Sequence, residues 1–150
     1  MVDDVVIDSG SVPFGPATTM TGDGPAQHNI YMLTGQKWSN TDVELECGSG
    51  IVPFVYLKSS PVHSVQWAIG LEVMLLIDDP WKTIMTTDHP NGGIFTQYPL
   101  LLTWLMSRKA RDDTAKECHK WAYEKSTLGG VDRELSLYEM AIVTRANPAR

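Results

Sequence analysis

Apolar residues change their spacing near residue 60 of this chain. Before that point they come in short runs or with period two, and after it they recur three and four residues apart. Val5-Val-Ile7 and Val12-Pro-Phe14 are short apolar runs separated by Asp8-Ser-Gly10-Ser11, which predicts two paired strands joined by a turn. Residues 15–25, rich in Gly, Thr and Pro, read as a connection, and 26–33 as a short helix stopped at Gly35. Asp42-Val-Glu-Leu-Glu-Cys47 alternates polar and apolar positions, and Ile51-Val-Pro-Phe-Val-Tyr56 follows after Gly48-Ser-Gly50. That is the pattern of a hairpin or of two successive strands.

Val62, Val65, Ile69, Val73, Leu76 and Ile77 then mark a helix that ends at Asp78-Asp79-Pro80. Trp81 and Lys82 lead directly into Thr83-Ile-Met-Thr-Thr87, whose β-branched residues favour an extended backbone. Asp88-His-Pro-Asn-Gly-Gly93 cannot continue a strand and supplies a turn. After it, Thr96 can N-cap a helix containing Tyr98, Leu101, Leu102, Leu105 and Met106, with Pro99 tolerated in its first turn. Asp112 or Asp113 opens a further helix through Trp121 to about Lys125, which Gly129-Gly130 separates from the last one. Ser136-Leu-Tyr-Glu139 has the S-x-x-E form of a capping box, opening a helix that reaches about Arg145. The order helix, strand, helix is an α/β signature, as in one unit of a barrel or a doubly wound sheet. No composition shift divides the chain, so residues 1–150 read as one domain.

Composition narrows the function. The 150 residues are 43% hydrophobic, as in a soluble globular protein with a sizeable core. Twelve Lys and Arg against eighteen Asp and Glu leave a net charge of −6, which gives no electrostatic footprint for nucleic acid. Cys47 and Cys118 lack a C-x-x-C spacing, so reduced thiols in a cytoplasm are expected rather than a disulfide framework or zinc knuckle. No apolar run approaches the roughly 20 residues that span a bilayer, so no membrane association is expected.

Asp88 is the leading candidate for chemistry, because it ends a strand where the loops of α/β proteins collect ligand-binding side chains. A carboxylate there can ligate a metal or act as a general base, and it can equally do no more than cap its turn. His89 and Asn91, on the same rim, are candidate substrate contacts. The remaining histidines, His28, His63 and His119, form no H-x-H or H-E-x-x-H set. No Walker loop, G-x-G-x-x-G after a strand, or G-x-S-x-G elbow occurs. Trp67, Trp81, Trp104 and Trp121 read as core or interface residues.

Longer strings carry a more specific signal. Gly50-Ile-Val-Pro-Phe-Val-Tyr56, Gln66-Trp-Ala-Ile-Gly-Leu-Glu72, Asp78-Asp-Pro-Trp81, Thr86-Thr-Asp-His-Pro-Asn-Gly-Gly93 and Asp132-Arg-Glu-Leu-Ser-Leu-Tyr-Glu139 resemble the zinc-dependent subunit of the formylmethanofuran dehydrogenases, of the amidohydrolase superfamily. The resemblance runs from about Phe14 onward. It implies the C-terminal portion of a (β/α)₈ barrel with following helices, incomplete on its own, since a whole barrel takes about 250 residues. In such enzymes a dinuclear zinc centre is held by an H-x-H, a carboxylated Lys, two further histidines and an Asp on the eighth strand. Asp88 matches that Asp, which implies roles as metal ligand and proton shuttle, while the other ligands have no counterpart here. Ala146-Asn-Pro-Ala149 is similar to the N-P-A segment that follows the barrel in many members.

For the complete enzyme the resemblance implies condensation of formate with the methanofuran amine, and its reverse. Molybdenum or tungsten pterin and iron–sulfur clusters would sit on partner subunits of a larger complex. The equivalent component of the methylotroph formyltransferase/hydrolase complex is the near alternative, and a non-catalytic assembly module the distant one.

Overall fold

The computed structural model describes residues 5–21, 32–33 and 50–150, which form a mixed α/β arrangement with two two-stranded sheets. Strands β1 (Ile7–Gly10) and β4 (Thr83–Thr86) pair in parallel, with Ile7 opposite Thr83 and Gly10 opposite Thr86. Between them in sequence lie β2 (Gly15–Thr21), β3 (Gly50–Tyr56) and α1 (Pro61–Leu76), so β1, α1 and β4 form a β-α-β unit with a two-stranded ribbon inserted before its helix. Four short helices follow: α2 (Tyr98–Met106), α3 (Arg108–Ala115), α4 (Lys120–Lys125) and α5 (Leu137–Ala141), the last continuing as a π turn, Ile142–Ala146. No helix among the described residues is long and apolar enough to cross a membrane.

The first strand pair differs from expectation. Asp8 to Gly10 lie inside β1, and its partner is β4 rather than Val12–Phe14. Gly10 serves close approach instead of a turn: a Cβ there would stand 2.1 Å from the Thr86 carbonyl oxygen. A Cβ on Gly70 of α1 would likewise stand 2.1 Å from the Gly10 carbonyl oxygen, so two glycines let helix and sheet backbones meet. Ser11 completes the contact by donating its hydroxyl to the Trp67 carbonyl at 2.8 Å.

Residues 15–21 form a strand, not the expected connection, because β3 offers an antiparallel partner in which Thr18 lies opposite Pro53. The Thr18 amide points away from β3, to the Pro90 carbonyl at 3.0 Å. Pro53 therefore occupies a position whose nitrogen faces the outer edge, where the missing donor costs no ladder bond. The expected strand at Asp42–Cys47, the loop at 48–49 and all but Met32–Leu33 of the expected 26–33 helix lie outside the described residues; Met32 and Leu33 are helical.

Helix α1 matches its predicted span, with Ser60 at its N-cap, but the residues that mark its period are not the ones it buries. Trp67, Leu71, Met74 and Leu75 are at most 1% exposed, whereas Val62, Ile69 and Leu76 are 62%, 50% and 58% exposed. The helix is apolar all round, so spacing alone fixes no inward face. Trp67 and Trp104 meet edge to face in the core at 5.8 Å between ring centroids, and Phe14 packs 6.0 Å from Trp67. Trp81 is half-buried under Arg150, and Trp121 lies 54% exposed.

Two helix starts also move. Thr96 lies in a 3₁₀ turn, Phe95–Gln97, and Gln97 is the residue that precedes α2. Asp112 and Asp113 fall inside α3, which Ser107 caps by accepting the Ala110 amide proton; Asp113 instead pairs with Lys109 and Lys116 along the helix surface. The helix ends at Ala115, so the expected single helix is two, with His119 preceding α4. The capping box at Ser136 and Glu139 forms as read from the sequence.

Buried polar side chains tie these pieces together. Arg111, 1% exposed, donates to the carbonyls of Trp104, Val131 and Arg133 at 2.7, 3.1 and 2.8 Å. Arg133 donates to the Leu75 and Ile77 carbonyls at the end of α1 and pairs with Glu139 at 2.7 Å. The buried Asn147 donates both amide protons, to Trp81 and Thr83 at 3.0 and 2.9 Å, and so pins the C-terminal turn to the start of β4.

Candidate functional site

Strand β4 sorts its side chains by alternation. Thr83, Met85 and Thr87 are buried toward the helices, while Ile84 and Thr86 are partly exposed on the opposite face. The strand ends at Thr86, and Asp88 follows with φ 47°, in the left-handed region that Asp tolerates better than most residues. Its amide donates to the Thr86 hydroxyl oxygen at 2.9 Å, and its carbonyl accepts from the Gly92 amide at 3.1 Å. The carboxylate is exposed and has no hydrogen-bond or ion-pair partner among the described residues. The turn is thus held by the backbone of Asp88, and its acid group is left over.

The rest of the turn is packed tightly. A Cβ at Gly92 would lie 2.6 Å from the Thr87 carbonyl oxygen, and one at Gly93 would lie 2.3 Å from the Pro13 ring. Only glycine fits at either position. From the far side the ribbon reaches in through the Thr18 amide to Pro90, and Gln97 donates to the Phe14 carbonyl at 3.3 Å. The segments after β1 and after β4 are therefore knitted into one rim.

His89, joined to Pro90 by a cis peptide, is exposed and accepts the Phe95 amide proton on Nδ1 at 3.2 Å, its ring edge-on to Phe95 at 5.4 Å. Its ring proton then sits on Nε2. Asn91 is half-buried in the same turn. The three residues singled out from the sequence thus share one turn.

The other candidates do not reach it. His63 accepts the Leu57 amide proton at 2.9 Å between the rings of Phe54 and Tyr56, and burial holds its pKa below the usual imidazole range. The backbone amide of His119 donates to Ser64 at 3.0 Å. Cys118 is a buried free thiol pushed up to about 11 by burial, which makes it inert. His28 and Cys47 lie outside the described residues. No three His, Cys, Asp or Glu side chains converge among the described residues, so Asp88 can be one ligand of a metal but these residues do not make a metal centre.

Sequence reasoning missed Thr86 and Thr18. A T-x-D string at a strand end is a signal for the first, since a Thr hydroxyl commonly bonds backbone two residues on. Nothing local to Thr18 marks its reach to Pro90.

A family model described as "Amidohydrolase family" matches residues 2–150. The chain belongs to the amidohydrolase family. Membership points to metal-dependent chemistry, in keeping with an exposed carboxylate at a strand end. Among relatives, the chain is 52% identical over 147 residues to "Protein FwdA" of Methanocaldococcus jannaschii, covering 97% of this chain and 26% of that protein. It is 42% identical over 144 residues to the A component of the formyltransferase/hydrolase complex Fhc of Methylorubrum extorquens, covering 95% of this chain and 26% of the relative. A solved structure superposes with a TM-score of 0.73 at 39% identity, covering 96% of this chain and 26% of its match. That structure is the formyltransferase/hydrolase complex FhcABCD from Methylorubrum extorquens in complex with methylofuran. The chain thus spans about a quarter of the length of the curated relatives it matches.

Proposed function

We propose that this chain contributes the Asp88 corner of a metal-dependent active site that forms and cleaves an N-formyl group on a furan-type amine coenzyme. The observation that carries the reading is the Asp88 carboxylate at the C-terminal end of β4, exposed and with no hydrogen-bond or ion-pair partner among the described residues, in a chain 52% identical to FwdA. Residues 1–150 are then one undivided portion of a (β/α)₈ barrel, with β1 and β4 as neighbouring strands and the other strands supplied by the rest of a longer subunit. That remainder would also supply the other ligands of a zinc pair. When bound, the metal supplies charge stabilisation to the formyl oxygen and an activated water.

The work of this chain's own residues follows from their positions. In the hydrolytic direction Asp88 takes a proton from the attacking water and gives it to the amine nitrogen as the C–N bond breaks, releasing formate and the free coenzyme amine. In the condensing direction the same carboxylate takes a proton from the amine as the C–N bond forms and gives it to the formate oxygen that leaves as water. His89 Nε2–H and Asn91, in the same turn, are rim groups able to donate to or orient the formyl and amine ends. Complete subunits of this kind would work with pterin and iron–sulfur partner subunits that supply formate from carbon dioxide. The test is Asp88→Asn in the assembled enzyme: formyl transfer should fall by about a thousandfold or more, the range of a lost general base and ligand combined. Activity within tenfold of wild type sinks the assignment.

A second reading has its own support. The 0.73 TM-score match to a formyltransferase/hydrolase complex supports a reading in which the chain belongs to a subunit that hydrolyses the formyl group. Isolation of the native complex separates the two. A co-purifying pterin dehydrogenase subunit selects the carbon dioxide-reducing assembly, and its absence selects the hydrolase.

A further inference from the structure

We infer that Thr86 is the positioning residue for Asp88, an inference that rests on the reading of Asp88 given above. Thr86 lies opposite Gly10 in the β1–β4 pair, and its methyl carbon is 3.3 Å from where a Cβ on Gly10 would stand. The methyl group is therefore seated against β1. The hydroxyl is turned along the strand toward the next turn, where its oxygen accepts the Asp88 amide proton at 2.9 Å. This bond reaches two residues on and holds Asp88 at φ 47°, a conformation an L-residue leaves readily unless its surroundings fix it.

Thr86 acts on the backbone and leaves the acid group untouched. Because the amide is tied to Thr86 and the carbonyl to Gly92, both peptide groups flanking the Asp88 Cα are fixed. The carboxylate then has only its own two side-chain torsions to set. Thr87, the residue between, is buried. Neither Asp88 nor Gly92 can supply what the Thr86 hydroxyl does, since the Asp88 amide has no other acceptor among the described residues.

The experiment compares Thr86→Val, which keeps the shape and loses the acceptor, with Thr86→Ser, which keeps the acceptor. In the assembled enzyme Thr86→Val should lower kcat for formyl transfer about tenfold with KM little changed, the effect of one lost hydrogen bond on placement. Thr86→Ser should restore kcat to within about twofold. In the assembled enzyme the Asp88 amide should exchange with solvent at least tenfold faster in Thr86→Val than in wild type or Thr86→Ser, at equal unfolding midpoints. A Thr86→Val enzyme with wild-type kcat, or an equal loss in Thr86→Ser, overturns the inference. Should Thr86→Val not fold, Thr86→Ala against Thr86→Ser gives the same contrast. Failure here is separable from failure of the functional reading: an active Asp88→Asn enzyme removes the reading itself, whereas an inactive Asp88→Asn beside a fully active Thr86→Val removes only the role of Thr86.

Discussion

If the Asp88 carboxylate is kept for chemistry and the turn is held by backbone groups, stability and activity must respond differently to the same substitutions. The side chain makes no hydrogen bond or ion pair among the described residues, so removing it forfeits no paired interaction. What a replacement does face is φ 47°. Asn tolerates the left-handed region as Asp does, so Asp88→Asn should change folding free energy by less than about 0.5 kcal/mol. Asp88→Gly should fall in the same range, its conformational ease in the folded state offset by greater freedom in the unfolded chain. Asp88→Ala should cost about 1 kcal/mol, the left-handed penalty of an ordinary L-residue, and Asp88→Val about 2 kcal/mol, because a β-branched side chain crowds the backbone there. Formyl transfer should be lost in all four. Denaturant unfolding of each variant gives the first series, and turnover in the assembled enzyme the second. A cost of more than about 1 kcal/mol for Asp88→Asn would mean that the carboxylate itself holds the turn. The capping role would then be the right one.

Other predictions test the frame around this turn. Arg111→Met should destabilise by about 3 kcal/mol, since it orphans two buried carbonyls and a part-buried third while relieving the burial of a charge; a urea-midpoint loss equivalent to under about 1 kcal/mol would show those carbonyls finding other donors. Glu139 is held down to about 2, from 4.5, by the Ser136 amide first and then by Arg133 and the Ser136 hydroxyl. Its folded pKa is depressed, so its contribution is full above pH 4.5 and is lost as pH falls from 4.5 towards 2. Thermal melting over that window should show an acid loss that Glu139→Gln flattens. Finally, the 150-residue chain should bind zinc no more tightly than its Asp88→Ala variant, as calorimetry can read, because one carboxylate cannot hold the ion alone. Stoichiometric binding abolished by that substitution would reveal further ligands.

Local physics made parts of this protein legible from its residues. The capping box at Ser136 and Glu139, the α1 span ending at Leu76 and the β4 strand breaking into the Asp88 turn depend on neighbours in sequence, and each forms where local rules put it. The long strings shared with the formylmethanofuran dehydrogenases led to the right family for the same reason that they are specific: many side chains are constrained at once. Only tertiary structure decided that Gly10 belongs to a strand, because the reason for a glycine there is the carbonyl of Thr86, far along the chain. The inward face of α1 was likewise undecided, since a helix apolar on every side takes its orientation from whichever partner it meets. The turn chemistry of Asp88 was in the sequence from the start. That its backbone makes the turn's bonds, to Thr86 and Gly92, is likewise local. That Thr18 of β2 and Pro13 before it close in on the turn follows from contacts between residues distant in the chain, which pattern and propensity do not encode.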